Sequence, residues 1–128
     1  MWPPVISNRR AQSTDAMMAR ADRLERLDRK RSDLEADYTA ALVEALERTM
    51  AGAWGLFDHR QDRNDRARTA PVIARLADLA EGIDHARDAL GMDPFTLHAE
   101  FLAERGPPGA EAVGEPKQAR AFLGRLHG

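Results

Sequence analysis

Residues 15–51 read DAMMARADRLERLDRKRSDLEADYTAALVEALERTMA, and the periodicity of this stretch decides the fold. It holds neither glycine nor proline, and the first breaker after it is Gly52, where a helix C-cap belongs. Ser13 or Thr14 stands before it as an N-cap, and Asp15 sits in the first turn, where negative charge suits the helix dipole. Met17, Leu24, Arg31, Tyr38 and Ala45 fall seven apart, with Leu27, Leu34 and Ala41 between them. Opposite charges four residues apart (Asp22–Arg26, Glu25–Arg29, Arg31–Glu35 and Glu44–Arg48) each support the helix by about 0.3 kcal/mol.

The apolar stripe changes along this helix. Between Asp22 and Asp33 it narrows to Leu24 and Leu27 amid charged and polar neighbours. From Tyr38 it widens to take in Leu42, Leu46 and Met50, as in a helix packed into a globular core. A helix over 15–51 is about 55 Å long. A compact domain of this chain length is only about 36 Å across. Either the helix breaks near Ser32-Asp33, or its N-terminal half projects and packs on something else. A narrow leucine stripe between charges is what a two-helix seam requires. We therefore expect a homodimer, or docking on another protein, through Leu24, Leu27, Arg31 and Leu34. Arg31 on that seam needs an acidic partner or a snorkelling path to water.

The rest of the chain carries three shorter helical patterns. Residues 1–13 read as an extended arm, since Pro3 and Pro4 oppose a helix and Ser7-Asn8 breaks any pattern. Thr69 as N-cap and Pro71 near the first helical position start a second helix over about 70–90. Its apolar face includes Val72, Ile73, Leu76, Leu79, Ile83 and Leu90, with Gly91 as its stop and Gly82 marking a close helix crossing. Asp93 as cap and Pro94 open a third helix over about 94–105, with Phe95, Leu97, Phe101 and Leu102. After the loop GPPGAEAVGEP, Pro116 opens a fourth over about 116–126, with Ala119, Phe122, Leu123 and Leu126 on its apolar side. No stretch alternates apolar and polar residues over a strand's length. The expected fold is all-α: a single helical domain over 14–128, a three- to four-helix bundle whose long first helix protrudes as a coiled-coil-like arm.

Composition narrows the function. The 19 basic and 21 acidic residues leave a net charge of −2 and a pI near 6.1. A dedicated nucleic-acid binder usually carries a basic excess, because phosphate neutralisation supplies much of its affinity. The absence of cysteine removes disulfides, thiolate nucleophiles and thiolate metal sites, and fits a reducing compartment. No apolar window approaches the length needed to span a bilayer, and MWPPVISNRRAQS does not have the form of a secretory signal, so a cytoplasmic protein is expected.

Chemistry-bearing residues are sparse. Glu81 and His85 lie four apart on helix 2 and begin a metal site in spacing, but they lack a third ligand and read more simply as an exposed pair. His98, among Phe95, Phe101 and Leu102, reads as a partly buried, hydrogen-bonded structural histidine. None of the three serines sits in a nucleophile turn, and no glycine pattern resembles a phosphate loop. We expect no catalytic residues and no cofactor. Arg60, Arg63, Arg66 and Arg68 carry the alternative reading, a nucleic-acid accessory protein, but Asp58, Asp62 and Asp65 interleave with them. Trp54 and Phe57, in a loop that holds Gly52 and Gly55, form an aromatic knot that either plugs the bundle end or anchors in a partner's groove.

The run W-G-L-F at 54–57, P-F-x-L-H at 94–98 and G-E-P-x-x-A-R-x-F-L at 114–123 resemble a group of small, uncharacterised alphaproteobacterial helical proteins. The resemblance spans Leu42 to Leu126 and implies a recurring unit, with no activity attached.

Overall fold

The computed structural model describes residues 4–51, 63–105 and 115–127, with side chains over 14–51, 69–105 and 118–127. The protein is all-α. Four helices follow in order: α1 Pro4–Met50, α2 Arg63–Ala89, α3 Leu97–Arg105 and α4 Glu115–His127. Helix α1 is the spine. Helices α2 and α4 pack directly on it, while α3 leans on α2 and closes the bundle with its side chains. At 47 residues, α1 is about 70 Å long. It passes through Ser32-Asp33 without a break.

Three boundaries depart from the local signals, each for a physical reason. Helix α1 is already formed at Pro4, so residues 4–13 are helical rather than an extended arm. Proline at the first turn lacks only an N–H that has no intrahelical partner there, so Pro4 opens a helix as readily as it would oppose one. Helix α2 starts at Arg63, so Thr69 does not cap it and Pro71 lies inside it. An interior proline forfeits one backbone hydrogen bond and costs about 3 kcal/mol. Burial of Thr69 and Leu76 on either side, with Val72 and Ile73 against the core, offsets that loss.

Helix α3 starts at Leu97 rather than Pro94, its first internal bond running from Glu100 N–H to Thr96 C=O. Asp93 to Phe95 are instead held by α2. Arg87 donates to the carbonyls of Asp93 (3.1 Å) and Pro94 (3.4 Å), and the Phe95 N–H donates to the Asp84 carboxylate at 2.7 Å. The end of α2 follows its glycine. Gly91 takes φ +70°, Met92 N–H bonds to Arg87 C=O and Gly91 N–H bonds to Asp88 C=O, which is a Schellman closure. Gly82 is not a forced close crossing: a Cβ there would meet Leu34 Cδ1 at 3.4 Å, an ordinary contact.

The core sits beside the C-terminal half of α1. Tyr38, Leu42, Ala45 and Leu46 from α1 meet Leu76, Ala80 and Ile83 from α2, Phe101 from α3, and Ala119, Phe122 and Leu123 from α4. Burying each large apolar side chain contributes about 1.5–3 kcal/mol. Aromatic edges stitch the layers, with Tyr38 against Phe95 at 5.0 Å and Phe101 against Phe122 at 6.0 Å, both near perpendicular. Thr49, also buried, returns its hydroxyl to the Ala45 carbonyl at 3.0 Å.

Candidate interaction surface

Burial along α1 divides the helix in two. Every side chain from Thr14 to Arg26 is exposed, and the first half-buried position is Leu27. Met17 is 72% exposed, Met18 63% and Leu24 44%, large values for residues that lose free energy in water. The division follows from α2, which runs antiparallel to α1 and ends at Ala89, level with the Leu27 turn. Among the described residues, none buries a side chain of α1 between Thr14 and Arg26.

The expected seam residues therefore have different fates. Leu24 is open. Leu27 lines a groove between α1 and α2. Leu34 packs against the core and reaches Gly82 of α2. Arg31 finds its acidic partners on its own helix: Asp28 at 2.9 Å and Glu35 one turn on. The Asp28 hydrogen bond raises its pKa further above the ordinary arginine value, against the desolvation that lowers it. Trp54, Phe57 and Arg60 lie outside the described residues. Arg63, Arg66 and Arg68 fall in the first turns of α2, with side chains outside the described set.

The groove beside Leu27 has a volume of about 360 Å³. Leu27 and Lys30 form its α1 wall, and Asp78, Glu81, Gly82 and His85 its α2 wall. Glu81 and His85 are both exposed here, on one face as their spacing requires. Among the described residues, no group of three or more histidines and carboxylates comes together as a metal site would need.

Two features joining distant parts of the chain escaped sequence reasoning. The first is a node at Arg87, whose guanidinium Nε donates to Glu35 of α1 at 2.6 Å while its Nη2 pairs with the same carboxylate. Its planar face lies 5.4 Å from the Phe95 ring centre. Glu35 thus joins Arg31 and Arg87, and the node ties α1, α2 and the α2–α3 connection. Glu35 and Arg87 are 52 positions apart, so no helical spacing announces them.

The second is the Tyr38–His98 pair. The expectation of a structural histidine at His98 holds: it is half-buried, and the buried Tyr38 hydroxyl lies 2.8 Å from its Nδ1. Burial lowers the His98 pKa below the usual imidazole value, which favours the neutral ring, and its Nδ1 and the phenol share one hydrogen bond. Burial also pushes the Tyr38 phenol well above its ordinary range.

The polar clusters hold helices together, Arg87–Glu35 joining α2 to α1 and Tyr38–His98 joining α1 to α3. No helix of the described chain is long and apolar enough to cross a membrane. Comparison with protein-family models, with curated proteins and with solved structures finds no match to this chain.

Proposed function

We propose that the protein is a non-catalytic helical interaction module of the cytoplasm that forms a homodimer through the N-terminal part of α1. The observation that carries this reading is the exposure of Met17, Met18 and Leu24 on a helical stretch that no other described residue covers. An isolated amphipathic helix gains little stability from propensity alone, so a long helical extension needs packing to persist. The four-residue ion pairs along it, such as Arg29–Glu25, are exposed and contribute little. A partner's apolar stripe supplies what is missing.

Light scattering and sedimentation at tens of micromolar test the reading. The full chain is expected to run as a dimer. Leu24→Glu, which lies outside the core, is expected to run as a monomer with unchanged helical circular dichroism. A wild-type chain that stays strictly monomeric overturns the reading.

A further inference from the structure

The face of α1 that lines the groove does not stop at Leu27. Met17, Arg20, Leu24 and Leu27 are spaced three, four and three residues apart, so they form one continuous helical face. Leu27 and Lys30 meet α2 across the groove, and Met17, Arg20 and Leu24 extend the same face past its end. The opposite wall carries its own stripe. Asp78, Glu81, His85 and Asp88 follow the same spacing on α2, and all are exposed.

The two stripes are of opposite charge and both are unsatisfied. Among the described residues, Arg20 on the α1 stripe and Arg23 beside it make no ion pair, and neither do Asp78, Glu81 and Asp88. Within one chain they form no such pair, since α1 continues unbroken from Leu27 past the end of α2.

We propose that the groove between α1 and α2 is the docking site for the α1 arm of a second copy, in an antiparallel, two-fold arrangement. This rests on the self-association reading and specifies its geometry. The two α1 helices cross near Leu24 and Leu27. Each arm then runs along the other copy's groove, with Met17 level with Gly82, Arg20 beside Glu81 and His85, and Arg23 beside Asp88. The two-fold axis repeats each pair, so both arms and both grooves are used. A parallel pair in register sets Arg20 against Arg20 and Arg23 against Arg23, and leaves the acidic stripe without a counterion. Charge complementarity selects the antiparallel form.

Because the chain has no native cysteine, disulfide trapping reads the geometry directly. Single variants Met17→Cys and Glu81→Cys are mixed in equal amounts and oxidised with a mild thiol oxidant, and the linked peptides are mapped. The antiparallel form predicts a 17–81 disulfide as the main covalent dimer. A main 17–17 disulfide overturns the groove docking while leaving dimerisation intact. A chain that shows no dimer by light scattering overturns both.

A charge swap gives a second, independent readout. R20E/R23E and E81R/D88R are each expected to weaken dimerisation at least tenfold. Their equimolar mixture restores both sets of opposite charges and is expected to return the dimer to near wild-type affinity. Unchanged dimerisation in the separate variants, or no recovery in the mixture, overturns the proposal. Circular dichroism checks that each variant folds, and where one does not, the trapping result decides.

Discussion

Arg87→Ala cuts the tie between α1, α2 and the α2–α3 connection, and its cost follows from what the guanidinium touches. The bond to Glu35 joins two side chains each 22% exposed, so solvent screens it, and Glu35 keeps Arg31; we assign it about 1 kcal/mol. The two exposed carbonyl bonds, to Asp93 and Pro94, together contribute about 0.5 kcal/mol. The face of Phe95 under the cation adds about 0.5 kcal/mol. The expected loss is about 2 kcal/mol. With an unfolding entropy of about 2.1 cal/mol/K per residue, the 128-residue chain has about 0.27 kcal/mol/K, so Tm should fall by about 7 °C.

Urea unfolding followed by circular dichroism, at one fixed protein concentration because dimerisation links to stability, measures the loss. A double-mutant cycle with Glu35→Ala isolates the pair, and its coupling should be about 1 kcal/mol. Arg87→Lys keeps the charge but not the planar fork, and should recover only a minor part. A coupling below about 0.3 kcal/mol, or an Arg87→Ala protein as stable as wild type, refutes the node as a tie between α1 and α2.

Four further outcomes follow from the same geometry. Tyr38 is the only tyrosine, so the ultraviolet phenolate signal reports it alone. Its pKa is raised on folding, so its contribution to stability is complete below the unfolded value of about 10 and is lost as pH rises beyond it. The signal should therefore appear together with unfolding, and a normal titration in the folded protein would refute the burial of the hydroxyl. His98 has the opposite sign: its pKa is lowered on folding, so its contribution is present above about pH 6.5 and declines as pH falls towards the folded value. His98→Gln should flatten stability against pH in that window, which urea unfolding at several pH values checks. Gly91→Ala should destabilise by about 1 kcal/mol, because alanine at φ +70° is strained whatever the open space around it. Gly82→Ala should be neutral or stabilising by up to about 1 kcal/mol, since its Cβ meets only an ordinary contact and the helix gains propensity. Thermal melts of the two variants, moving in opposite senses or with Gly82→Ala unchanged, separate the two roles.

Much of the fold was legible because it is written at short range. The 3.6-residue period named α1, and the same period set out the apolar faces of α2 and α4 that now hold Leu76, Ile83, Phe122 and Leu123. Gly91 could be read as a stop because a residue at positive φ is a local requirement. The misread starts were local signals overruled from outside. Asp93-Pro94 has the form of a helix start, but Arg87 takes the carbonyls and Asp84 takes the Phe95 N–H. Thr69 and Pro71 look like a cap and first turn, yet packing on either side carries α2 through them.

What the sequence determines by itself is the class of fold and the mismatch between a helix over 15–51 and a compact domain, because each depends only on spacing along the chain; that α1 runs unbroken through Ser32-Asp33 is decided by the structure. Tertiary structure decided which half of α1 is covered, since that depends on where α2 ends, level with Leu27. It also decided that Leu34 and Arg31 find partners within their own chain while Met17, Met18 and Leu24 stay exposed among the described residues. It set the acidic wall of α2 beside Leu27 and Lys30, a placement that no pattern within either helix encodes.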